Sequence, residues 1–380
     1  MGKRKICCFC ERWASGGIES FLHNLLGQID LSGMEVDIVA EELNESNFAV
    51  SLKAKGIRFI QLSGSLHDLP RNHRMFRQLL RQRQYDVVHL HLYQGLSLRY
   101  ARIARQEGVT VRIAHSHNEA LRKSVAKPLK TLLHRWGRRC YSADATALWA
   151  CSQAAADFLF GANKSFRFIP NGIDTGRFRF HEDTRQAIRK KLGLSDNLVL
   201  GNVGRLCRQK NQRFLLEVFA RLVQQRPDSR LLLVGDGADR ETLERRANQL
   251  GLEAKVIFYG KSEKVEQLLW AMDVFALPSL FEGLSVAAVE AQAAGLPVLC
   301  AQDLSKEVKL TENLQFLPLE AGVWADAIAS VAGQDTDRAA YAEIVSAAGF
   351  ESRAVAQTIS ETYLGRNDGT AYYFSNRPNL

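Results

Sequence analysis

Short apolar runs alternate with longer amphipathic stretches along nearly the whole chain, and that alternation leaves few folds open. Runs at 5–10, 36–40, 57–62, 86–92, 111–115, 147–151 and 166–169 are rich in Val, Ile, Leu and other apolar residues. Stretches of helical pattern lie between them at 17–29, 72–83, 95–107 and 126–143. Strands written as unbroken apolar runs are buried on both faces, as in a parallel sheet covered by helices. A second series follows, with strands at 198–203, 229–234, 255–259, 274–277 and 297–300 and a short piece near 315–316. Its helices fall at 183–192, 211–225, 239–250, 265–272 and 285–294.

Between the two series, Pro170-Asn171-Gly172-Ile173-Asp174 is a cluster of turn residues. A chain of 380 residues also exceeds the usual size of one hydrophobic core. The predicted architecture is therefore α/β, with two doubly wound Rossmann-like domains facing each other across a cleft. The first covers 1–170 and the second 171–351. A final helix near 352–364 is placed to cross back onto the first domain, and the polar tail 365–380 is expected to be mobile. Sheets of this kind bind ligands beyond the C-terminal ends of their strands, so the loops at those ends are where chemistry is sought.

No run of eighteen apolar residues is present. The N-terminal run Ile6-Cys7-Cys8-Phe9-Cys10 is too short for a signal peptide and passes at once into Glu11 and Arg12, so it reads as a buried strand. A cytoplasmic protein is expected. The seven cysteines include Cys7, Cys8 and Cys10. They alternate in direction along a strand and lack a matching second cluster, which favours small buried thiols over a metal knuckle.

Charge is unevenly divided. Residues 1–180 hold 27 Lys and Arg against 15 Asp and Glu, while the remainder hold 23 against 26. One basic stretch is Arg71, Arg74, Arg77, Arg81 and Arg83. Another runs from Arg122 to Arg139, interleaved with Leu121, Val125, Leu129, Leu132, Leu133 and Trp136. The second pattern suits a basic amphipathic helix at an anionic bilayer or against a lipid acceptor. A plain solvated helix face needs no ligand, and nucleic acid could use the same charge. The membrane reading is the one carried forward, without a nucleic-acid partner.

Four segments are candidates for chemistry. Gly16 and Gly17 follow the first strand and open a helix, where a backbone can approach an anion closely; a plain turn is the alternative. Gly204-Arg205 and Lys210 follow the first strand of the second series, and two cations flanking a turn suit a pyrophosphate. Gly235-Asp236-Gly237 forms a tight loop at the same rim, as either a nucleotide contact or a structural turn. The fourth segment is Pro278-Ser279-Leu280-Phe281-Glu282-Gly283-Leu284-Ser285 and the small-residue helix after it, which carries Glu290. Glu282 and Glu290 are eight residues apart, an offset of about 80° on a single helix. They converge better if Glu282 stands in the loop, Ser285 is the N-cap, and Leu284 and Val289 staple the turn. His89 with His91, and His115 with His117, each share a strand face; neither pair has a third ligand in the local sequence, so no metal is assigned. Ser116 lacks the setting of a nucleophile elbow, which argues against hydrolase-type covalent catalysis.

Taken together, these segments resemble glycosyltransferase family 4, the retaining transferases of the GT-B fold, and within it the bacterial capsular and exopolysaccharide glycosyltransferases. The resemblance spans nearly the whole chain. It implies that Arg205 and Lys210 bind the donor diphosphate, with Gly16, Gly17 and Gly235 supplying backbone contacts. It implies Glu282 at the hydroxyls of the donor sugar, Glu290 at the ribose, Gly283 and Leu284 as backbone contacts, and His117 beside the reacting centre. The expected substrates are a nucleotide diphosphate sugar, UDP-linked by preference, and a polyprenyl-diphosphate glycan, with no cofactor and no metal. The basic segment 122–139 belongs to the variable acceptor half, so the resemblance does not assign it. A sugar-nucleotide epimerase shares the two-domain shape, and a non-catalytic membrane-surface or glycan-binding protein is the other alternative.

Overall fold

The computed structural model describes residues 2–14, 17–119, 121, 127–194, 196–331 and 337–367. Gly16, Arg122, Lys123 and the tail beyond 367 lie outside the described residues. The chain divides into two compact units, Met1–Gly172 with Ser352–Leu380, and Ile173–Glu351.

The first unit holds a seven-stranded parallel sheet. Its strands are β1 (Arg4–Trp13), β2 (Met34–Leu43), β3 (Arg58–Gln61), β4 (Val87–Leu92), β5 (Val111–Ser116), β6 (Ala147–Ala150) and β7 (Arg167–Phe168), in the order β3-β2-β1-β4-β5-β6-β7. The central strand β1 is buried on both faces. Ile6, Cys8 and Cys10 face one apolar cluster, while Cys7 and Phe9 face the other. All three cysteines are free and buried, and burial pushes the Cys8 thiol up to about 12.

The terminal helix Ser352–Tyr363 belongs to this first unit. Its Val355, Ala356, Ile359 and Tyr363 join the cluster around β1, and Gln28 donates to Ser352 Oγ at 2.9 Å. The helix Lys127–Tyr141 presses onto the turn Gly95–Leu98 so closely that a Cβ on Gly137 would sit 2.6 Å from the Gly95 backbone.

The second unit has six parallel strands: β8 (Val199–Val203), β9 (Arg230–Val234), β10 (Val256–Gly260), β11 (Val274–Leu277), β12 (Val298–Ala301) and β13 (Leu314–Leu317), ordered β10-β9-β8-β11-β12-β13. Asp273 anchors the start of β11. Its carboxylate accepts from the Val199 amide at 2.7 Å and from Arg189 at 3.1 Å, and pairs with Arg185. In both units the strand order reverses beside the first strand, between β1 and β4 and between β8 and β11. Such a switch point opens a crevice at the C-terminal strand ends, because the connecting loops diverge there.

Local pattern reading misses the helices Asn47–Ala54, Gln153–Leu159 and Ala321–Val331. The first two are only two turns long and carry little periodicity. The expected helix at 95–107 is a 3-10 turn, Gly95–Leu98, followed by an α-helix, Arg99–Gln106.

Candidate functional site

The loops that leave β8, β9 and β11 are tied into one assembly. Gly204 donates to the Val234 carbonyl at 2.9 Å, and Leu206 donates to Asp236 at 3.1 Å. Leu280 donates to Gln209 at 2.9 Å, the Gln209 side chain donates to the Phe281 carbonyl at 2.9 Å, and Asn211 donates to Pro278 at 3.1 Å. Glycine is required here by contact as well as by conformation. Gly235 has φ +135°, and a Cβ on it would run into the carbonyl oxygen of Gly204. A Cβ on Gly237 would strike Leu206 in the same way. Gly235-Asp236-Gly237 therefore packs against the Gly204-Arg205-Leu206 turn.

At the β8/β11 switch point this assembly brings Lys210 and Glu282 together, with Nζ 2.7 Å from Oε1 and both side chains largely buried. The sequence placed the lysine on a phosphate and the glutamate on a sugar; the structure places them in contact. Arg205 is exposed on the same turn. The Pro278–Ser285 segment also holds two buried hydroxyls, Ser279 Oγ and Ser285 Oγ, for which no partner occurs among the described residues. Buried hydroxyls in native proteins are nearly always satisfied by protein or water, so these two make the strand-end loop a candidate place for a polar group to bind.

Ser285 does occupy the N-cap of the helix Val286–Ala293, but its hydroxyl does not cap it. The amides of Ala288 and Val289 bond instead to the Ser285 main-chain oxygen, at 3.2 Å each. Leu284 and Val289 are both buried at the two staple positions. Gly283 is exposed beside Glu282. Glu290 is half-buried in the helix, and its burial raises its pKa to about 7; Arg177 opposes that rise and Glu266 adds to it. Arg177 itself is paired with Glu266 at 2.8 Å.

In the first unit Gly17 starts the helix Gly17–Gln28, and a Cβ there would meet nothing within 4 Å. No packing among the described residues requires glycine at that position. Glu41 at the end of β2 is buried and accepts from Tyr100, while Glu42 pairs with Arg12 at 3.1 Å. A pocket of about 230 Å³ opens at the β1/β4 switch point, lined by Glu11, Arg12, Tyr93, Gln94, Asn118 and Lys130 among others.

The two histidine pairs, read separately in the sequence, are one cluster. The register sets His91 beside His115 on adjacent strands, and His117 continues that face. His89 Nε2 lies 3.1 Å from His115 Nδ1, and His91 Nδ1 lies 2.9 Å from His117 Nε2. His89 Nδ1 also meets the Tyr363 hydroxyl at 2.6 Å. Burial lowers the pKa of all four, that of His117 to about 3, so the imidazoles are neutral at pH 7. His89, His91 and His115 bring one ring nitrogen each within 4.8 Å of one another. The two nitrogens that face each other most closely already share a hydrogen bond.

The outer face of the helix Lys127–Tyr141 exposes Leu129, Leu132, Leu133 and Trp136. His134 points inward, accepting from the Gly95 amide at 2.9 Å. The exposed apolar row therefore shares the outside of the helix with basic residues such as Arg135. No helix among the described residues is long and apolar enough to cross a membrane.

Each unit thus has a parallel sheet covered by helices, and the second carries a cation–carboxylate pair at its strand-end switch point. The family described as "Glycosyltransferase Family 4" matches residues 15–177, and "Glycosyl transferases group 1" matches residues 184–318. The protein EpsF of Bacillus subtilis, named as a glycosyltransferase, is 32% identical over 83% of this chain and 85% of its own. A Corynebacterium glutamicum GDP-mannose-dependent monoacylated α-(1-6)-phosphatidylinositol monomannoside mannosyltransferase is 27% identical over 75% of this chain and 76% of its own. Among solved structures, Anabaena Alr3699/HepE in complex with UDP superposes with a TM-score of 0.77 at 21% identity, covering 95% of this chain and all of that one. The chain belongs to the glycosyltransferases of the GT-B fold.

Proposed function

We propose that this protein is a retaining, metal-independent glycosyltransferase of family 4. It moves a hexose or N-acetylhexosamine from a UDP-linked donor to a lipid-linked glycan, at the cytoplasmic face of the membrane, in capsule or exopolysaccharide synthesis. The observation that carries the reading is the β8/β11 switch point, where Lys210 meets Glu282 in a loop whose Ser279 and Ser285 hydroxyls have no partner among the described residues, and which opens the helix that carries the half-buried Glu290. UDP in the HepE complex supports the donor, and the lipid-anchored acceptor named for the mannosyltransferase supports a lipid-linked acceptor.

In this reading Lys210 and Arg205 carry the diphosphate, and their positive charge grows in value as the leaving group gains charge. Donor binding transfers Lys210 from Glu282 to the phosphate, which frees the Glu282 carboxylate to accept from sugar hydroxyls. Glu290 accepts from the ribose, and the amides of Gly283 and Leu284 line the donor; the Gly235 amide expected there is already taken, donating to the Gly260 carbonyl at 2.8 Å. The C1–O bond to the diphosphate breaks, and the acceptor oxygen attacks from the same face. The acceptor proton passes to the departing phosphate, so neither glutamate need form a covalent bond. The apolar and basic outer face of the helix Lys127–Tyr141 meets the anionic bilayer that holds the acceptor.

The test is nucleoside diphosphate release from a panel of UDP-, GDP- and ADP-sugars with a lipid-linked acceptor, with and without EDTA. Release from a UDP-sugar that survives EDTA and falls at least about 100-fold in Glu282→Ala is expected. No binding of any donor by calorimetry would overturn the assignment. A GDP-sugar as sole donor would replace the base, and product with the sugar still on its nucleotide would mean an epimerase.

A further inference from the structure

We propose that His91 is a positioning residue that sets the tautomer of His117, so that His117 presents an Nδ1–H donor to its ligand. The role of His117 at the reacting centre rests on the function proposed above; the tautomer does not.

The argument is an accounting of protons. Each neutral imidazole has one N–H and one bare nitrogen. His91 and His117 meet through His91 Nδ1 and His117 Nε2, so exactly one of these two atoms carries the shared proton. The other nitrogen of His91, Nε2, is buried without a partner among the described residues. An orphaned buried N–H is rarer and costlier than an orphaned acceptor. The bare nitrogen of His91 is therefore Nε2 and its proton sits on Nδ1, donated to His117 Nε2. His117 must then carry its own proton on Nδ1, for which no partner is found among the described residues.

The neighbouring pair obeys the same rule independently. His115 Nε2 is also buried and unpartnered, which makes His115 Nδ1 the donor to His89 Nε2. His89 Nδ1–H then donates to the Tyr363 oxygen, and the Tyr363 hydroxyl is left to donate to Cys8 Sγ at 3.6 Å. Every link is satisfied with one choice of proton positions. Free imidazole in water prefers its proton on Nε2, so an Nδ1–H form of His117 would be imposed by its surroundings. The consequence is chemical: His117 can stabilise a sugar or acceptor oxygen by donating to it, and at neutral pH it has neither the charge of an acid nor a bare nitrogen facing outward to act as a base.

The experiment is long-range ¹H–¹⁵N correlation on the full chain labelled at histidine, with the His117 signals assigned by their loss in His117→Gln. The expected pattern is a protonated Nδ1 and a bare Nε2. His91→Asn keeps an N–H at the place of Nδ1 and is expected to retain that pattern; His91→Leu removes the donor and is expected to lose it. Turnover should fall roughly 100-fold in His91→Leu through kcat, with recovery in His91→Asn and unchanged UDP affinity. A wild-type His117 protonated at Nε2 overturns the proposal, and that measurement needs no variant to fold. A tautomer that follows the prediction while turnover stays constant upholds His91 as the positioning group and removes His117 from the proposed transfer chemistry.

Discussion

Glu290→Gln should stabilise the free protein and weaken donor binding, and the two effects can be separated by pH. Burial raises the Glu290 pKa from 4.5 to about 7. In the unfolded chain the group ionises near 4.5, so between the two values the folded state holds a proton that the unfolded state has released. The contribution of this one group is thus complete below pH 4.5, declines as the pH rises, and is lost above pH 7. At about 1.4 kcal/mol per pKa unit, the penalty is about 3 kcal/mol at pH 8 and under about 1 kcal/mol at pH 5. A glutamine of the same shape cannot ionise and escapes it. For the unit spanning Ile173–Glu351, that is a gain of about 6–12 °C in melting midpoint at pH 8, and little at pH 5. Thermal melts of wild type and variant at both pH values read the difference directly, because all other titrations cancel. The same variant should bind UDP about 10- to 100-fold more weakly by calorimetry, the value of a hydrogen bond to a charged acceptor. A midpoint difference that is equal at the two pH values, or a wild type more stable at pH 8, would refute the desolvation argument.

Other perturbations test other parts of the molecule. Gly235→Ala combines a backbone angle open only to glycine with a collision against Gly204, and should cost about 4 kcal/mol, read as a lower denaturant midpoint. Asp273→Ala leaves Arg185 and Arg189 without their carboxylate beside β11 and should cost about 3–5 kcal/mol in the same assay. Gly137→Ala should destabilise the first unit by about 1–3 kcal/mol, because the Gly95 turn has no room to withdraw. Replacing Leu132 and Trp136 together by Ser should leave the melting midpoint within about 2 °C while reducing sedimentation with anionic vesicles several-fold, since both side chains are exposed.

The amino-acid order by itself determined the two βα series, the turn residues between them, and the glycine-bearing loops at the strand ends. Those features are local: unbroken apolar runs, glycine at strand ends and helical periodicity each announce themselves within about ten residues. The short helices Asn47–Ala54 and Gln153–Leu159 escaped because two turns carry too little pattern and form only against a packed sheet. Tertiary structure alone decided which distant residues meet. Lys210 and Glu282 are 72 residues apart and touch because β8 and β11 are neighbours across a reversal of strand order. The two His-x-His segments became one buried cluster only when β4 and β5 came into register, with Tyr363 brought to His89 from a helix 274 residues further on. Strand pairing and helix return are set by the burial of whole faces, a property of the assembled sheet that no local window of sequence contains.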